Sequence, residues 1–367
     1  MADPRIERLA HTLVNYSIYV KPGETVYLTG DLAALPLVRE TYKEVIKAGG
    51  LCILDYDDEE MMDFFVRNAN TDQLKWISPL ERWAAETVDA RIFIRATNNT
   101  RRGTTIDPKR MGQFMAARGE LAKTRFKRTA EDSLKWTLTQ FPTNAYAQEA
   151  DMSLTEFEDF VYGATFADQP DPIKCWEDLA AGQQKYVDWL KGKKHVQVRG
   201  PNVDLTLSIE GRTFINSGGT HNMPSGEVFT GPVENSCNGW VRYTYPAIRE
   251  SRIVDGIELT FEQGKVVKAT AKKNEEYLLS QLNMDEGARY LGEFAIGTNY
   301  GIKRFTGNIL FDEKIGGTFH MALGRGYPET GSVNESAIHW DMICDMRTDS
   351  EIVVDGEVLY KNGQFVI

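Results

Sequence analysis

The sequence has few cysteines, no long apolar run and no excess of positive charge. Its four cysteines, Cys52, Cys175, Cys237 and Cys344, are far apart and form no C-x-x-C pair. In a chain of 367 residues this spacing indicates reduced thiols rather than a disulfide framework. No run of about 18 apolar residues occurs, which argues against a membrane-spanning helix. The formal net charge of -11 argues against non-specific nucleic-acid binding, because phosphate contacts need a basic surface.

Targeting signals and nucleotide-binding motifs are also missing. The stretch from Met1 to Glu7 has no apolar core of the kind found in signal peptides. No G-x-G-x-x-G follows the first strand-like run, and G-x-x-x-x-G-K-[ST] occurs nowhere in the chain. We therefore expect a cytoplasmic protein that binds neither nucleic acid nor membrane, and a nucleotide-binding function has no motif to support it.

The first half of the chain alternates helical and strand-like segments. A chain of 367 residues is too long for one ordinary compact core, so two domains are expected. Strands that alternate with helices predict right-handed crossovers and a largely parallel sheet. The amphipathic helical segments and apolar strand-like runs on which this prediction depends are 5–16, 25–29, 35–48, 51–54 and 90–95.

The pattern changes after a mainly helical stretch that runs from residue 107 to residue 190. This stretch ends in a Lys-Gly-Lys-Lys sequence, and a cationic helix end followed by glycine is typical of a domain boundary. After His195, short alternating strands with Gly and Asn turns dominate, with one helix expected over 274–282. We predict an α/β domain over 1–193 and a β-rich α+β domain over 194–367.

The clearest chemical signal is a histidine and an aspartate that stand one residue apart near the C-terminus. His339 and Asp341 lie in an apolar run that predicts a strand, so both side chains project from the same face. One imidazole beside one carboxylate makes half of a divalent-metal site. His320 closes an earlier apolar run and could supply a third ligand across a paired strand. The loop over 324–331 between them is rich in glycine and predicts a hairpin whose mouth carries the chemistry.

Two glutamates of the same half stand beside glycine or proline. Glu227 follows a predicted turn, and Glu293 is the only charge in an apolar run. A lone carboxylate there is costly to bury unless it is paired or binds a metal. With His320, His339 and Asp341 these glutamates offer three carboxylates and two imidazoles. That set exceeds what one catalytic zinc usually needs, but it suits two ions that share a bridging carboxylate.

Each of these residues also has an ordinary structural explanation. Glu293 could point to water at a strand end, His320 could be a satisfied interior histidine, and His339 and Asp341 could form a surface pair. Taken singly, these explanations are the commoner ones. Taken together they weaken, because all of the residues fall in apolar, glycine-flanked strands of one half. His221 ranks below the other two histidines as a ligand.

Four short motifs occur in a fixed order in the second half of the chain. They are Asn222-Met223-Pro224-x-Gly226-Glu227-Val228, Gly292-Glu293-x-x-x-Gly297, Gly317-Thr318-x-His320-x-Ala322-Leu323-Gly324 and Asn334-x-Ser336-x-Ile338-His339-x-Asp341. In this order they resemble the aminopeptidase T/aminopeptidase S (PepS) family of metallopeptidases. The resemblance covers most of the second half, and the first half agrees in its α/β character.

This resemblance implies a site, cofactors and an assembly. It implies two divalent metal ions per subunit (Co, Zn, Mn or Mg) and points to Tyr327, in the loop after His320, as a residue beside the metals. It further implies a homodimer in which the domain over 1–193 helps to enclose the active-site cavity, while 194–367 is the catalytic metal-binding domain. The implied ligands are Glu227, Glu293, His320, His339 and Asp341.

The implied activity is the hydrolysis of the N-terminal residue from peptides that have a free N-terminus. A hydroxide activated by the two ions would attack the first peptide carbonyl. Glu293 and Tyr327 are the expected catalytic residues, and the phenol of Tyr327 could donate a hydrogen bond to the oxyanion. Which carboxylate bridges the ions, and which group takes the proton of the water, stays open.

A ring-cleaving dioxygenase of the dihydroxypyridine type, with a single Fe(II), is the alternative function. Such enzymes look like distant relatives of this fold. Two histidines and one carboxylate are the usual ligands of non-haem iron, and His320, His339 and Asp341 could supply them. Glu227 and Glu293 argue against this alternative, because a mononuclear iron site does not need them. A non-catalytic metal-binding protein is a third, weaker possibility.

Overall fold

The computed structural model describes residues 3–250 and 252–367, and the chain forms two compact units. The first unit extends to Cys175 and also includes Gly219–Pro224, and the second comprises Trp176–Gly218 and Ser225–Ile367. The predicted domain boundary after residue 193 falls just past the end of a long helix (Pro172–Leu190), whereas the two units part near the start of that helix, between Cys175 and Trp176. No helix within the described ranges is long and apolar enough to cross a membrane.

The helices and strands are numbered here in chain order. The α-helices are α1 (Pro4–Thr12), α2 (Leu35–Lys47), α3 (Glu59–Asn68), α4 (Thr71–Lys75), α5 (Pro79–Thr87), α6 (Pro108–Ala117), α7 (Gly119–Ala130), α8 (Asn144–Glu149), α9 (Leu154–Ala164), α10 (Pro172–Leu190), α11 (Glu275–Leu282) and α12 (Ile309–Asp312). A π-helix covers Leu13–Ser17, and short 3-10 helices cover Leu32–Ala34, Arg102–Thr105 and Pro328–Thr330. The strands are β1 (Thr25–Asp31), β2 (Leu51–Asp57), β3 (Ala90–Arg95), β4 (Lys135–Gln140), β5 (His195–Gly200), β6 (Val203–Ser208), β7 (Ile215–Ser217), β8 (Asn222–Met223), β9 (Glu227–Thr230), β10 (Asn238–Arg242), β11 (Ala247–Arg249), β12 (Arg252–Val254), β13 (Glu258–Glu262), β14 (Lys265–Thr270), β15 (Leu291–Gly297), β16 (Thr318–Gly324), β17 (His339–Asp345), β18 (Glu351–Val354), β19 (Glu357–Lys361) and β20 (Gln364–Phe365).

A parallel sheet forms the centre of the first unit. Its strand order is β2-β1-β3-β4-β8, and every neighbouring pair is parallel. Strand β1 is buried over its central residues because it lies between two neighbours. Helix α2 buries Leu37, Val38 and Val45, whereas Tyr42 and Ile46, which the helical spacing of the sequence placed on one stripe with Val38 and Val45, are exposed. The prediction of an α/β domain with a largely parallel sheet is confirmed.

Strand β4 was not predicted, because the stretch that contains it was expected to be mainly helical. Its buried positions include Thr137 and Thr139, which are polar, whereas Trp136 and Leu138 are only partly buried. Thr137 is satisfied there by donating a hydrogen bond from Oγ1 to the carbonyl of His221 at 2.7 Å. A strand whose interior face is threonine gives no apolar alternation, so the periodicity of the sequence could not reveal it.

The second unit is built on antiparallel sheets. An eight-stranded sheet has the order β14-β13-β10-β6-β5-β18-β19-β20, a five-stranded sheet has the order β17-β16-β15-β9-β7, and β11 pairs with β12. The expected helix over 274–282 is present as α11. The prediction of a β-rich α+β region in the C-terminal part of the chain is therefore confirmed.

The five-stranded sheet of the second unit has two different faces. Successive side chains of a strand alternate between faces, and alternate residues of β9, β15, β16 and β17 enter one hydrophobic core. These core residues are Val228, Phe294, Ile296, Phe319, Met321, Leu323, Trp340, Met342 and Cys344. The intervening residues of the same strands carry the acids and histidines of the sequence motifs, so one face packs the unit and the other is free for chemistry.

Candidate metal centre

Four adjacent strands place the five predicted ligands on one face of the five-stranded sheet. Glu227 begins β9, Glu293 lies in β15, His320 lies in β16, and His339 and Asp341 lie in β17. The hairpin predicted between His320 and His339 is present, because β16 pairs antiparallel with β17. The structure therefore brings together all five residues.

Each of the acids and histidines has a small residue directly across at least one neighbouring strand, although His320 also stands opposite Ile343 of β17. Asp341 and Glu293 both pair with Ala322, and His320 pairs with Ala295. Glu227 pairs with Gly297, and His339 pairs with Gly324. Directly opposed side chains in a sheet are close neighbours, so alanine and glycine at these positions leave room for the longer side chains to converge. The small residues of the motifs thus have a packing reason.

Glu293 lies between the two imidazoles. Its Oε1 is 3.7 Å from His320 Nε2, and its Oε2 is 3.2 Å from His339 Nε2. On the outer sides, His320 Nε2 is 3.4 Å from Glu227 Oε2, and His339 Nε2 is 3.4 Å from Asp341 Oδ1. The five side chains therefore form a continuous row in which Glu293 is the central member.

Among the residues that the structure describes, the acids and histidines of this region form three groups of ligand atoms, each with its atoms within 4.8 Å of one another. The first group is Glu227, Glu293 and His320, and the second is Glu293, His339 and Asp341. The third consists of Glu313, His320 and Asp341. Glu293 is common to the first two groups, so one carboxylate is within reach of two cation positions.

Buried oxygens without a donor show that the residues fit a cation. Within the described ranges, Glu227 Oε2 and Asp341 Oδ1 have no hydrogen-bond partner and are shielded from solvent. Glu227 and Glu293 are 5% and 4% exposed. A buried acceptor left without a partner costs free energy. A cation in this row would satisfy these oxygens, and mixed carboxylate and imidazole donors suit several divalent metals.

The ring of His339 is oriented by a main-chain acceptor. Its Nδ1 donates to the carbonyl of Arg325 at 2.7 Å, which leaves Nε2 free to bind a metal. The backbone of Arg325 reaches this place because position 292 is glycine. A Cβ on Gly292 would lie 2.2 Å from the carbonyl oxygen of Arg325. The glycine beside the central ligand thus permits the hydrogen bond that fixes another ligand.

Mutual electrostatics dominate the pKa values in the row. Burial alone would lower the pKa of His320, but Glu293 and Glu227 raise it to about 9. The pKa of His339 is raised well above its ordinary value, because Asp341 and Glu293 outweigh its burial. Burial alone would raise the pKa of Asp341, but His339 lowers it to about 2. Without a cation the imidazoles therefore hold protons between carboxylates, and metal binding must displace them.

Two further charged residues, which no sequence motif predicted, reach this row. Glu313 belongs to the third group of ligand atoms. Lys314 is fully buried, and its Nζ lies 3.2 Å from Glu227 Oε1 and contacts Glu313 Oε1. Burial acts to lower the pKa of Lys314, but Glu227 and Glu313 raise it above its ordinary value. Glu313 and Lys314 are flanked by Leu310, Phe311 and Ile315, and such apolar neighbours could have indicated that the two charges are buried. Consecutive charged residues, however, are more typical of an exposed turn.

Tyr327 stands at the edge of the same row. The centre of its ring lies 5.2 Å from that of His339 and 5.4 Å from that of Phe229. Tyr327 is 36% exposed, but desolvation of its hydroxyl and the nearby carboxylates raise the pKa of Tyr327 well above its ordinary value. The phenol therefore keeps its proton and can act as a donor. His221 packs its ring against Trp136 in the first unit and belongs to none of the three groups found among the described residues.

Comparisons with known proteins agree over nearly the whole chain. The family described as thermophilic metalloprotease (M29) matches residues 2–365. The chain is 27% identical to aminopeptidase 2 of Geobacillus stearothermophilus, over 99% of this chain and 98% of that protein. It is also 27% identical to aminopeptidase T of Thermus thermophilus, over 98% of this chain and 95% of that protein.

Solved structures give the same picture of the fold. The structure of wild-type AmpT from Thermus thermophilus superimposes with a TM-score of 0.85 and 25% identity, over 99% of each chain. The 2,5-dihydroxypyridine dioxygenase from Pseudomonas putida KT2440 superimposes with a TM-score of 0.59 and 12% identity, over 98% of this chain and 96% of that one. At that identity the second likeness concerns the fold alone.

Proposed function

The chain belongs to the thermophilic metalloprotease (M29) family, and we propose that it is an aminopeptidase whose attacking hydroxide is activated by two divalent metal ions. The family match and the similar aminopeptidases confirm the resemblance seen in the sequence motifs. The protein is thus a peptide hydrolase that depends on a divalent metal. The release of the N-terminal residue, the number of ions and their ligands are the proposal.

The position of Glu293 is the observation that carries the proposal. Its two oxygens face different imidazoles, at 3.7 Å from His320 and 3.2 Å from His339. A carboxylate shared by two groups of ligand atoms is what a pair of ions with a bridging ligand requires. Glu293 would be the ligand shared by both ions, with Glu227 and His320 completing one cation position and His339 and Asp341 the other.

Bound divalent ions lower the pKa of a water molecule and polarise a carbonyl oxygen. The chain's own residues prepare the place where that chemistry occurs. Arg325 holds the imidazole of His339 through its Nδ1, and the packed core behind the sheet excludes water from the rear of the row. Glu293 lies between the two imidazoles and so connects the end of the row that contains Glu227 to the end that contains Asp341. The protonated phenol of Tyr327, beside His339, donates a hydrogen bond to the oxyanion that forms on the peptide carbonyl.

The alternative function as an iron dioxygenase agrees less well with the donor set. A mononuclear iron site uses two histidines and one carboxylate and leaves open positions. Here Glu227, Glu293, Glu313 and Asp341 all place oxygens near the two histidines. Three of these carboxylates would have no role at a single iron. A single iron therefore does not account for the donor set of this chain.

Reconstitution of the metal-free protein tests the function. Chelated protein is loaded separately with Co(II), Zn(II), Mn(II) or Fe(II), and release of chromophore from leucyl and other aminoacyl anilides is followed beside oxygen uptake with dihydroxypyridine. We expect metal-restored cleavage that is lost when the amine of the substrate is acetylated. Equal cleavage of the acetylated substrate would contradict an aminopeptidase, and oxygen uptake with Fe(II) alone would establish the dioxygenase.

Assembly and location stay predictions. The homodimer implied by the sequence motifs is tested by light scattering on the purified protein, and a monomer at micromolar concentration would contradict it. The cytoplasmic location and the part of the N-terminal domain in enclosing the cavity also stay predictions. Native metal content, measured on protein purified without added metal, identifies the ion.

A further inference from the structure

We propose that the buried ammonium of Lys314 makes the two cation positions unequal. The position formed by Glu293, His339 and Asp341 fills first, and the position that uses Glu227 fills only at higher cation concentration. This inference rests on the two-ion site proposed above and adds an order of filling to it. Lys314 is a positioning residue for Glu227 and is not itself a ligand, because an ammonium has no lone pair to offer.

The place of Lys314 follows from a close approach of two backbone segments. The backbone of Lys314 and Ile315 passes against Gly297, where a Cβ would lie 2.2 Å from the carbonyl oxygen of Ile315. Gly297 is the residue that pairs with Glu227 across the sheet. Lys314 is therefore held next to Glu227 by backbone packing, and its side chain has no exposed surface.

The ammonium of Lys314 is a permanent positive charge in this setting. It lies 3.2 Å from Glu227 Oε1 and also contacts Glu313 Oε1. A buried lysine is stable in its charged form when it is paired with carboxylates. The acids near the two histidines number four in the groups of ligand atoms, and Lys314 offsets one of their negative charges. The row therefore attracts cations less strongly at the end where Lys314 sits.

The three groups of ligand atoms differ in their relation to Lys314. Glu227 belongs to the first group and Glu313 to the third, and both contact the ammonium. The second group, Glu293, His339 and Asp341, includes neither of them. Like charges repel strongly at a separation of a few ångströms inside a protein. A cation at the second group avoids this repulsion, whereas a cation that uses Glu227 does not.

Lys314 also limits how Glu227 can bind. Oε1 of Glu227 is engaged by the ammonium, and Oε2 lies 3.4 Å from His320 Nε2 without a hydrogen-bond partner in the part of the chain that the structure describes. Glu227 is thus aimed to offer one oxygen to a cation. A carboxylate that binds through one oxygen, next to a fixed positive charge, makes a weak position. Such a position can lose its ion while the other stays filled.

The order of filling is tested by removing one ligand from each side. Glu227 occurs only in the first group, and His339 occurs only in the second. Chelated wild type, Glu227→Gln and His339→Gln are titrated with Mn(II) by calorimetry, and bound metal is measured after equilibrium dialysis. We expect a tight and a weak event in the wild type. His339→Gln loses the tight event, and Glu227→Gln loses the weak event and keeps the tight Kd within about twofold. The reverse assignment, or two equal events in the wild type, overturns the proposal.

The role of the charge is tested with Lys314→Met, which keeps the length and removes the ammonium. We expect the Kd of the weak event to fall by about tenfold or more, because a repulsion between buried like charges is removed, while the tight Kd changes little. Lys265→Met is the matched control, since Lys265 is exposed in β14. Unchanged Kd values in Lys314→Met overturn the proposal. If this variant does not fold, the titrations of Glu227→Gln and His339→Gln decide between the two outcomes.

The readouts separate this inference from the proposed function. Both experiments measure cation binding, whereas the aminopeptidase is tested by anilide cleavage. Two unequal events without any cleavage would contradict the proposed function and leave the order of filling intact. Cleavage with two equal events would leave the aminopeptidase intact and overturn the role of Lys314.

Discussion

The two units differ in how they satisfy the oxygens of their partly or fully buried carboxylates. In the first unit the phenol of Tyr27 donates to Asp55 Oδ2 at 2.5 Å. In the second unit Glu227 Oε2 and Asp341 Oδ1 are buried and make no hydrogen bond among the described residues, although an imidazole nitrogen lies 3.4 Å from each. An acid that has its donor is explained by folding alone. Acids that converge with unpaired buried oxygens need positive charge between them, from protonated imidazoles or from bound cations.

A structural acid and a metal ligand differ in what their removal changes. Removal of a paired acid should lower stability and leave chemistry unchanged. Removal of a ligand should abolish chemistry, because the row can no longer hold its cations. The predictions that follow test this distinction, beginning with the largest effect.

Glu293→Gln is expected to lower kcat/KM for leucyl anilide by at least about a thousandfold, because the shared ligand of two ions contributes several kcal/mol to transition-state stabilisation. The fold should remain, as circular dichroism can verify. Asp55→Asn in the first unit is the matched acid-to-amide control and should keep its activity. Turnover at the wild-type rate in Glu293→Gln would remove this residue from the site.

Tyr327→Phe is expected to lower kcat by about a hundredfold, since loss of one oxyanion donor has an effect of that size. Cation binding should not change, because the phenol is not proposed as a ligand. Phe229→Leu, which alters the aromatic neighbour of Tyr327 and removes no donor, is the control. A fall in cation affinity equal to the fall in kcat would show that Tyr327 binds the metal instead.

Removal of the metal is expected to lower the melting temperature of the protein. A cation at a hundred times its Kd stabilises the form that binds it by about 2.7 kcal/mol. Scanning calorimetry of wild type and Glu293→Gln, with and without Mn(II), measures the difference. The shift should be present in the wild type and small in the variant. An equal shift in both would mean that the stabilising ion binds elsewhere.

Tyr27→Phe is expected to lower the free energy of unfolding by about 1.5 kcal/mol, because a hydrogen bond to a carboxylate is lost. Tyr27 is buried, so the packing of the ring is retained. Anilide cleavage should stay at the wild-type rate. Urea unfolding and kcat/KM are measured on the same preparation. A loss of activity without a loss of stability would contradict the structural role given to this acid.

Asp31→Asn should have the smallest effect, and one that depends on pH. Burial raises the pKa of Asp31 to about 6 from its ordinary value of 3.8. Folding therefore favours the protonated carboxyl, and this stability is present below about pH 4 and is lost as the pH rises through 6. Asn cannot ionise. The free energy of unfolding of Asp31→Asn, relative to that of the wild type, should therefore rise by less than about 1 kcal/mol between pH 4 and pH 7. Urea unfolding at both pH values measures the change, and a constant difference would contradict it.

The sequence was most informative where polar and apolar residues alternate within a strand. In β16 and β17 the residues His320, His339 and Asp341 interrupt an apolar pattern at a spacing of two, which predicts both the strand and a shared face. The structure places all three as expected. Glu293 could be singled out for the same reason, as the only charge of an otherwise apolar strand.

The sequence was least informative where burial and polarity disagree. The interior face of β4 includes Thr137 and Thr139, and a threonine in a sequence does not predict a buried position. Glu313 and Lys314 lie beside the site because the backbone of Lys314 approaches Gly297. Such an approach depends on the path of the chain in three dimensions, and the local spacing of apolar residues in the sequence does not predict it.

The most direct test follows anilide cleavage and bound cation in the same titration of the chelated protein. The proposal of two ions joined by Glu293 predicts little cleavage after the first cation has bound and a rise that follows the second. Full cleavage with one cation bound per chain would contradict it, because the shared carboxylate would then have no second ion to serve.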